Sequence, residues 1–568
     1  MNKVKRVFKR LKKKDQNIRL MKWIIRITSP YISHIIIIFC VSLVSMGISY
    51  ASTIIGKYVV DDATRGAINF RNITLMCITT LVSIIVGIFS NILSSYINER
   101  FSFNIKQKLF NDIQRCVWIK ISKYHSGDLV TRLTSDVDGL ADGLISLIPS
   151  TILILCQLII SFCILFYYDK AIAVFALILG PIGALLMLFF KEKYKKYQTQ
   201  LRKTESEYRA FMQECLSDLT VIKTFMQEDI NEKKMEEFKN KRLKLVTYNT
   251  RLSSIMGAVM KMIYSMGYVI AFCWGSYRIS TGDITYGTLT VFITLVSSVQ
   301  GSVSGLAGLF PKVYSMLISA ERISDVTEIE KERYEGKTDV PKNVGLKVNS
   351  VSFAYDKEQI LKDIDFSVKP GEKIGIIGSS GAGKTTMIRM LLALTKPQKG
   401  SIYYTFSDVS EPVCPDSRRF ISYVPQGNTL RSGTIAENVR VGKSDANEIM
   451  INNALKMASA DKFVKKLPKK LETEISEGSV GISEGQAQRI AIARALISEK
   501  PVLILDEATS ALDEKTESII LKNITENLTE ITCFIITHRS SMLKYCDKVI
   551  EIGESGNITM HSLKDKSV

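Results

Sequence analysis

The chain has 568 residues, 46% of them hydrophobic and 23% charged, with a formal net charge of +19. Such a length excludes a single ordinary core, so two or more domains are expected. The basic excess admits a nucleic-acid partner, but lysine and arginine gather in the head, Lys3 to Arg26, and between long apolar runs, the pattern of positive loops beside membrane spans.

Those apolar runs crowd the first 310 residues and are absent afterwards, so a membrane half precedes a soluble half. The basic head, residues 1–30, runs into an apolar segment that is long and lacks a clear small-residue cleavage site, which reads as a retained first span. Segments that meet or nearly meet the spanning length lie at about 31–55, 72–97, 144–168, 171–191, 255–279 and 287–311. Six spans return the chain to its starting side. The turns around Asp61–Arg65, Tyr168–Lys170 and Arg278–Asp283 are short, whereas residues 98–143 and 191–254 are long, charged and helix-patterned. Lysine-rich sides face the cytosol, so both termini are expected inside, in a multi-pass protein of the plasma membrane. The ten cysteines show no metal-like spacing and neither disulfides nor zinc are expected. Lys261, at the start of the fifth apolar segment, either meets an acidic substrate in the cavity or snorkels to the inner interface.

The membrane domain is expected over 31–320. A polar linker then follows over 321–345, with Glu328 to Lys337 its most charged stretch. From 346 to 553 short strands alternate with helices in the manner of an α/β nucleotide fold, beginning with a strand at Val348 to Phe353. Residues 554–568 form a polar tail.

The most informative stretch of the second domain is the run Gly378, Ser379, Ser380, Gly381, Ala382, Gly383, Lys384, Thr385, Thr386. It follows an apolar run, Ile374 to Ile377, and leads into a helical pattern. A strand, a glycine turn and a helix N-terminus let successive backbone N–H groups converge on phosphate, with Lys384 reaching the terminal phosphates and Thr385 offering a hydroxyl to Mg²⁺. Downstream, the apolar strand from Pro501 ends in Asp506 and Glu507. The first of these can hold Mg²⁺ and the second can polarise an attacking water. His538 ends another apolar strand, where it can contact a γ-phosphate or steady that water. Gln426 can offer its amide oxygen to Mg²⁺ or water, and Tyr355 supplies a flat face for adenine.

Taken in order, the cradle, Gln426, the stretch Val480 to Arg489 with Ser483, Gly485 and Gln486, the acid pair, Ser510 to Asp513, and His538 resemble an ATP-binding cassette transporter of the exporter type. The chain looks like a half-transporter, with an all-α transmembrane domain of six helices fused ahead of one α/β P-loop cassette. In the membrane half, His125 to Arg132 and Gly282 to Gly287 are similar to stretches typical of such exporters. The resemblance implies two cassettes closing head to tail over two ATP molecules and Mg²⁺. Each site would join Tyr355, the cradle, Gln426, Asp506, Glu507 and His538 of one chain to Ser483, Gly485 and Gln486 of the other, with Asp513 on the D-loop. Short helices around Cys116–His125 and Met212–Leu219 would seat on the cassettes and turn closure into movement of the spans.

One departure stands out. The family signature usually reads Leu-Ser-Gly-Gly-Gln, and here it is Ile482-Ser483-Glu484-Gly485-Gln486. Glu484 brings a carboxylate near a polyanionic nucleotide. It is either tolerated in a homodimer or marks a heterodimer with one slower site; the intact Glu507 inclines the reading to the homodimer. The function expected from the resemblance is ATP-driven export of an amphipathic solute, whether lipid, drug-like compound or peptide. The alternatives are a nucleotide-regulated channel or importer on the same scaffold. A soluble nucleic-acid ATPase is disfavoured by the spans. No protease-like domain precedes the first span, so a leader-cleaving peptide exporter is not expected.

Overall fold

The computed structural model describes residues 19–355, 358–379, 381–407, 409–427, 429–475, 481–553 and 555–563, apart from several side chains between 180 and 191 and those at 307 and 310. The chain divides into two units, residues 1–113 with 124–328, and residues 114–123 with 329–568.

The first unit is helical throughout its main elements: α1 (Arg19–Thr64) and α2 (Phe70–Arg115), followed, after α3 (Trp118–Ile121) of the second unit, by α4 (Ser126–Tyr168), α5 (Lys170–Ser217), α6 (Leu219–Thr224), α7 (Glu228–Ser280) and α8 (Tyr286–Thr327). Five of these, α1, α2, α4, α7 and α8, are long and apolar enough to cross a membrane. The apolar segment 171–191 opens α5, a 48-residue helix whose apolar stretch among the described residues is Lys170–Leu179. Apolar side chains such as Ile85, Ile88 and Phe89 of α2 point outward, as suits helices whose backbone is satisfied internally and whose surroundings are hydrocarbon.

Helix ends in this unit are fixed by carboxylates. Asp169 caps α5, accepting from the Ala171 and Ile172 amides at 2.8 and 3.1 Å. Asp61 lies inside α1 rather than in the turn expected there, since α1 continues to Thr64. From that position it accepts from the Gly287 amide at 2.8 Å and the Thr285 hydroxyl at 2.9 Å, and so closes the start of α8. Gly287 has to be glycine: a Cβ there would stand 2.1 Å from the Lys57 carbonyl. Further along, Arg322 of α8 pairs with Asp128 and Asp136 of α4 at 2.5 and 2.9 Å.

The second unit holds two larger sheets. One is antiparallel, in the order β2 (Glu358–Val368), β1 (Gly345–Tyr355), β4 (Lys399–Phe406), β5 (Val409–Pro412); β1 extends well beyond the short strand expected at 348–353. The other runs in the order β12 (Ile558–Ser562), β11 (Lys548–Ile552), β3 (Lys373–Gly378), β10 (Thr532–Ile536), β9 (Val502–Asp506), β6 (Ile421–Val424), parallel except for β12. A small hairpin pairs β7 (Gly433–Thr434) with β8 (Glu474–Ile475). The helices are α9 (Lys384–Leu391), α10 (Ile435–Arg440), α11 (Glu448–Met457), α12 (Asp461–Lys466), α13 (Glu484–Leu496) and α14 (Glu514–Asn527).

Every residue of β9 and β10 is buried, which explains their continuous apolar sequence: both faces of a parallel sheet are covered. Val502, Ile504, Phe534 and Ile536 face a core shared with α9 and the antiparallel sheet. Leu503, Leu505, Cys533 and Ile535 face the opposite core, built with α13, α14 and the α10–α12 region.

Candidate functional site

The order of the parallel sheet decides what meets. Strands β3, β10, β9 and β6 are consecutive neighbours, and their C-terminal ends lead respectively into the glycine cradle, His538, the Asp506–Glu507 pair and the turn carrying Gln426. Groups spread over residues 378 to 538 are thereby delivered to one rim, the usual ligand edge of an open α/β sheet.

In the cradle, Gly381 and Gly383 hold φ of +86° and +106°, angles that L side chains rarely adopt, and Gly383 immediately precedes α9. The buried Lys384 turns its ammonium back across the loop, donating to the Gly378 and Ser379 carbonyls at 2.7 and 3.2 Å. Thr385 is exposed at the helix start, whereas Thr386 is buried. Ala382 is buried beneath the loop, and its amide donates to the Ser379 carbonyl at 3.2 Å. Ser380 lies outside the described residues.

Glu507 is held from both sides. Gln426 Nε2 donates to its Oε2 at 2.7 Å, and His538 Nε2 lies 2.9 Å from its Oε1. That same ring nitrogen is 3.4 Å from Lys384 Nζ. Protonated, Nε2 donates to Glu507; unprotonated, it accepts from Lys384, so the imidazole tautomer selects its partner. Glu507 also has φ +48°, strained for a residue with a side chain, and its amide donates to the Ile536 carbonyl of β10 at 3.2 Å.

Asp506 is only 5% exposed, and its one side-chain hydrogen bond among the described residues comes from the Tyr423 hydroxyl at 3.1 Å. Burial pushes its carboxyl above the ordinary value; the Tyr423 bond opposes this and the neighbouring Glu507 reinforces it. A buried carboxylate so thinly partnered fits a hard cation. The Thr385 hydroxyl and the Gln426 amide oxygen, whose nitrogen is already committed to Glu507, are further oxygen donors of the same kind.

Tyr355 ends β1. Its hydroxyl accepts from Arg389 of α9 at 3.1 Å, and its ring meets Phe353 edge to face at 4.9 Å. The Arg389 guanidinium also lies 4.7 Å over the Trp118 ring of α3. Residues around α3 are tied into this unit by the Val117 amide donating to the Glu330 carbonyl at 2.9 Å, a Lys120–Glu330 ion pair at 2.8 Å, and Ile119 packed on the core.

The signature stretch begins α13. Ser483 Oγ accepts from the Gln486 amide at 3.3 Å while Gln486 Oε1 accepts from the Ser483 amide at 3.0 Å, a reciprocal cap. Ser483 and Glu484 are exposed, and Glu484 has no side-chain hydrogen bond or ion pair among the described residues. Gly485 is placed against the following loop: a Cβ there would meet the Ala511 carbonyl oxygen at 2.8 Å. Asp513 caps α14 through the Thr516 amide at 3.0 Å, and the Thr516 bonds hold its carboxyl below the ordinary value. Among the described residues, no hydrogen bond joins Ser483, Gly485, Gln486 or Asp513 to the cradle of the same chain. Lys261 is an exposed residue of α7 in the other unit.

The residues that hold these groups carry no local signal in the sequence. Gln488 donates to Ser510 Oγ at 3.2 Å and accepts from the Ala511 amide at 3.1 Å. Arg539 donates to the Leu512 carbonyl at 3.2 Å and to Glu517, which is buried and also accepts from Thr509. The loop bearing Asp513 is thus gripped from α13 on one side and from the residue after His538 on the other.

Residues 35–303 match the family model of the ABC transporter transmembrane region, and residues 361–510 match that of the ABC transporter. The chain is 27% identical over 558 residues to a multidrug export ATP-binding/permease protein of Staphylococcus aureus (strain NCTC 8325 / PS 47), spanning 95% of this chain and 96% of the relative. It is 27% identical over 557 residues to the multidrug export ATP-binding/permease protein YgaD of Bacillus subtilis (strain 168), spanning 95% of each. In fold it is similar to the solved structure of a bacterial Atm1-family ABC exporter with ATP bound, with a TM-score of 0.77 at 20% identity over 94% of this chain and 96% of that one.

Proposed function

The chain belongs to the ABC transporter family, as a multi-pass membrane protein whose ATPase drives export, and from that premise we propose that two such chains close over two ATP molecules to move an amphipathic solute by alternating access. The observation that carries the reading is the convergence of the cradle, Gln426, Asp506, Glu507 and His538 on the ends of four neighbouring strands.

In this reading adenine stacks on Tyr355, and the phosphates lie along residues 378–386, drawing Lys384 away from the loop carbonyls. Thr385, Gln426 and Asp506 would hold Mg²⁺, and the cation would supply neutralisation of phosphate charge. Glu507, pinned by Gln426 and His538, orients and polarises the attacking water, and His538 steadies the γ-phosphate. Ser483, Gly485 and Gln486 of the second chain complete the site, so ATP joins the cassettes and its hydrolysis releases them. The cassette and both termini face the cytosol. The segment containing α3 relays closure to the spans of its own chain, and Met212–Leu219 docks on the other cassette.

A homodimer is the reading we favour, because the groups at the strand ends are all present in this one chain. The exposed Glu484, without a side-chain partner among the described residues, is the observation that favours a heterodimer with one slow site. The solute belongs to the broad class of the relatives' names: drug-like amphipaths, or lipids and peptides of similar character.

The test is ATPase activity of the purified full chain in lipid nanodiscs. Glu507→Gln should bind ATP with near-normal affinity and turn over at least about a hundredfold more slowly. Equal turnover in the two proteins would remove Glu507 from its role.

A further inference from the structure

Two adjoining cavities, of about 450 and 480 Å³, open between α1, α2, α4 and α8 of the first unit, and Ser49, Thr53, Ser83 and Thr294 border both. Each falls in the size range of sites for small organic ligands. Their chemistry is unusual for pockets between helices of membrane length: ten of the fourteen residues around the second carry a hydroxyl or an amide, and neither wall holds a carboxylate, an imidazole, an amine or a guanidinium.

Hydroxyls between spans ordinarily join helices. Some do so here: Tyr50, Ser161, Ser298 and Gln157 form one network across α1, α4 and α8, with Ser161 and Ser298 at 2.9 Å. The shared wall is different. Thr53 and Thr294 donate their protons to carbonyls of their own helices, at 3.1 and 2.9 Å, which leaves oxygen lone pairs toward the cavity. Ser49 and Ser83 have no side-chain hydrogen bond among the described residues. The nearest basic residue in the α1 sequence, Lys57, sets its ammonium 4.8 Å over the Tyr168 ring and lines neither cavity.

A wall rich in acceptors and lacking charge selects its occupant. An ionic head group entering it loses hydration and gains no counter-charge, whereas a neutral head bearing O–H or N–H donors exchanges water for protein partners. Resting on the reading of the chain as an exporter, we infer that this hydroxyl-lined cavity binds the transported molecule, and that the molecule is an uncharged, hydrogen-bonding amphipath with a polyol or amide head.

Three probes with one twelve-carbon acyl chain and different heads test this: monolauroylglycerol, lauroylcholine and laurate. They are titrated, below their aggregation limits, against the ATPase of the full chain in nanodiscs, with binding followed in parallel by calorimetry. Monolauroylglycerol is expected to bind and stimulate at the lowest concentration. In Ser49→Ala/Thr294→Val its half-saturating concentration should rise about fivefold, while Ser280→Ala, at the end of α7, a helix that borders neither cavity, should leave it unmoved. The inference is overturned if a charged probe acts at equal or lower concentration, if none of the three binds, or if the double variant has the native curve. The earlier reading is tested separately by Glu507→Gln: loss of turnover there, alongside an unmoved titration curve, retains the pump and discards this site.

Discussion

The guanidinium of Arg389 lies 4.7 Å above the indole of Trp118, and its Nη1 donates to the Tyr355 hydroxyl at 3.1 Å. One side chain therefore touches both the expected adenine platform and a helix contributed by a loop between two spans. Arg389→Met should weaken ATP binding about twofold to fivefold by freeing Tyr355, and should blunt stimulation of the ATPase by a transported compound. Trp118→Ala should leave ATP affinity within about twofold and lose the stimulation alone. Nucleotide titrations beside stimulated ATPase assays separate the two effects; identical losses in both variants count against the relay.

Glu507 is positioned by two neighbours, and their removal should not be equivalent. Gln426→Ala frees one carboxylate oxygen and withdraws an amide oxygen proposed for Mg²⁺, so its defect should be partly recovered at raised Mg²⁺. His538→Ala removes the contact to Glu507 and the ring nitrogen beside Lys384, and its deficit, about a hundredfold in turnover, should not respond to Mg²⁺. Turnover measured across a Mg²⁺ series decides.

Burial raises the Asp506 carboxyl above the ordinary aspartate value in the folded chain. The sign follows from linkage: a raised folded value means that the ionised form costs stability, a cost present above the raised value and absent once the group is protonated at lower pH. Asp506→Asn should therefore raise the nucleotide-free melting temperature at neutral pH, with the gain vanishing as pH falls through the carboxylate range. With Asp506 as the proposed Mg²⁺ ligand, the cation would compete with that proton, so the Mg²⁺ concentration for half-maximal turnover should climb on acidification, beginning at a higher pH than an exposed aspartate would give.

Glu332 forms a two-pronged pair with Arg418, at 2.6 and 2.8 Å, which fastens the segment before β1 to the cassette. Burial acts to raise its carboxyl, but the Arg418 and Tyr334 hydrogen bonds outweigh burial and leave it below the ordinary glutamate value. A depressed folded value gives stability that is present above the ordinary carboxylate range and lost as pH falls through the folded value. Glu332→Gln should cost about 1–3 kcal/mol at neutral pH and progressively less in acid, readable in the thermal unfolding of the full chain.

Gly485→Ala places a methyl 2.8 Å from the Ala511 carbonyl oxygen and 3.2 Å from Leu512. The loop carrying Asp513 must shift, at a cost of about 1–3 kcal/mol, and ATPase activity should fall although no phosphate ligand has been removed. A stable, fully active variant would show that the packing tolerates the methyl.

Much of the cassette is legible in its sequence because its chemistry sits in short runs: a glycine turn after an apolar strand, or two acids ending another. The strand order that brings Gln426 and His538 to opposite sides of Glu507 is not written locally. Nor are the supporting contacts, since Tyr423 with Asp506, Gln488 with Ser510 and Arg539 with Glu517 join residues far apart in the chain. Gly485 illustrates a different limit. As a signature residue it reads as a nucleotide contact, and the need for a bare Cα against Ala511 emerges only from packing. In the membrane half, apolar length marks the helices, while the grouping of separate serines and threonines into one wall depends on how four helices are set together.

Residues 114–123 lie far upstream of the cassette in the chain, yet they group with it, Trp118 against Arg389 and Ile119 against its apolar interior. A fragment cut out from residue 329 onward is consequently short of one piece of its own fold. Its uncovered seat should make it sticky in solution, and a synthetic peptide spanning 114–123 should bind there and restore solubility, giving a tethered or two-part version for study without detergent.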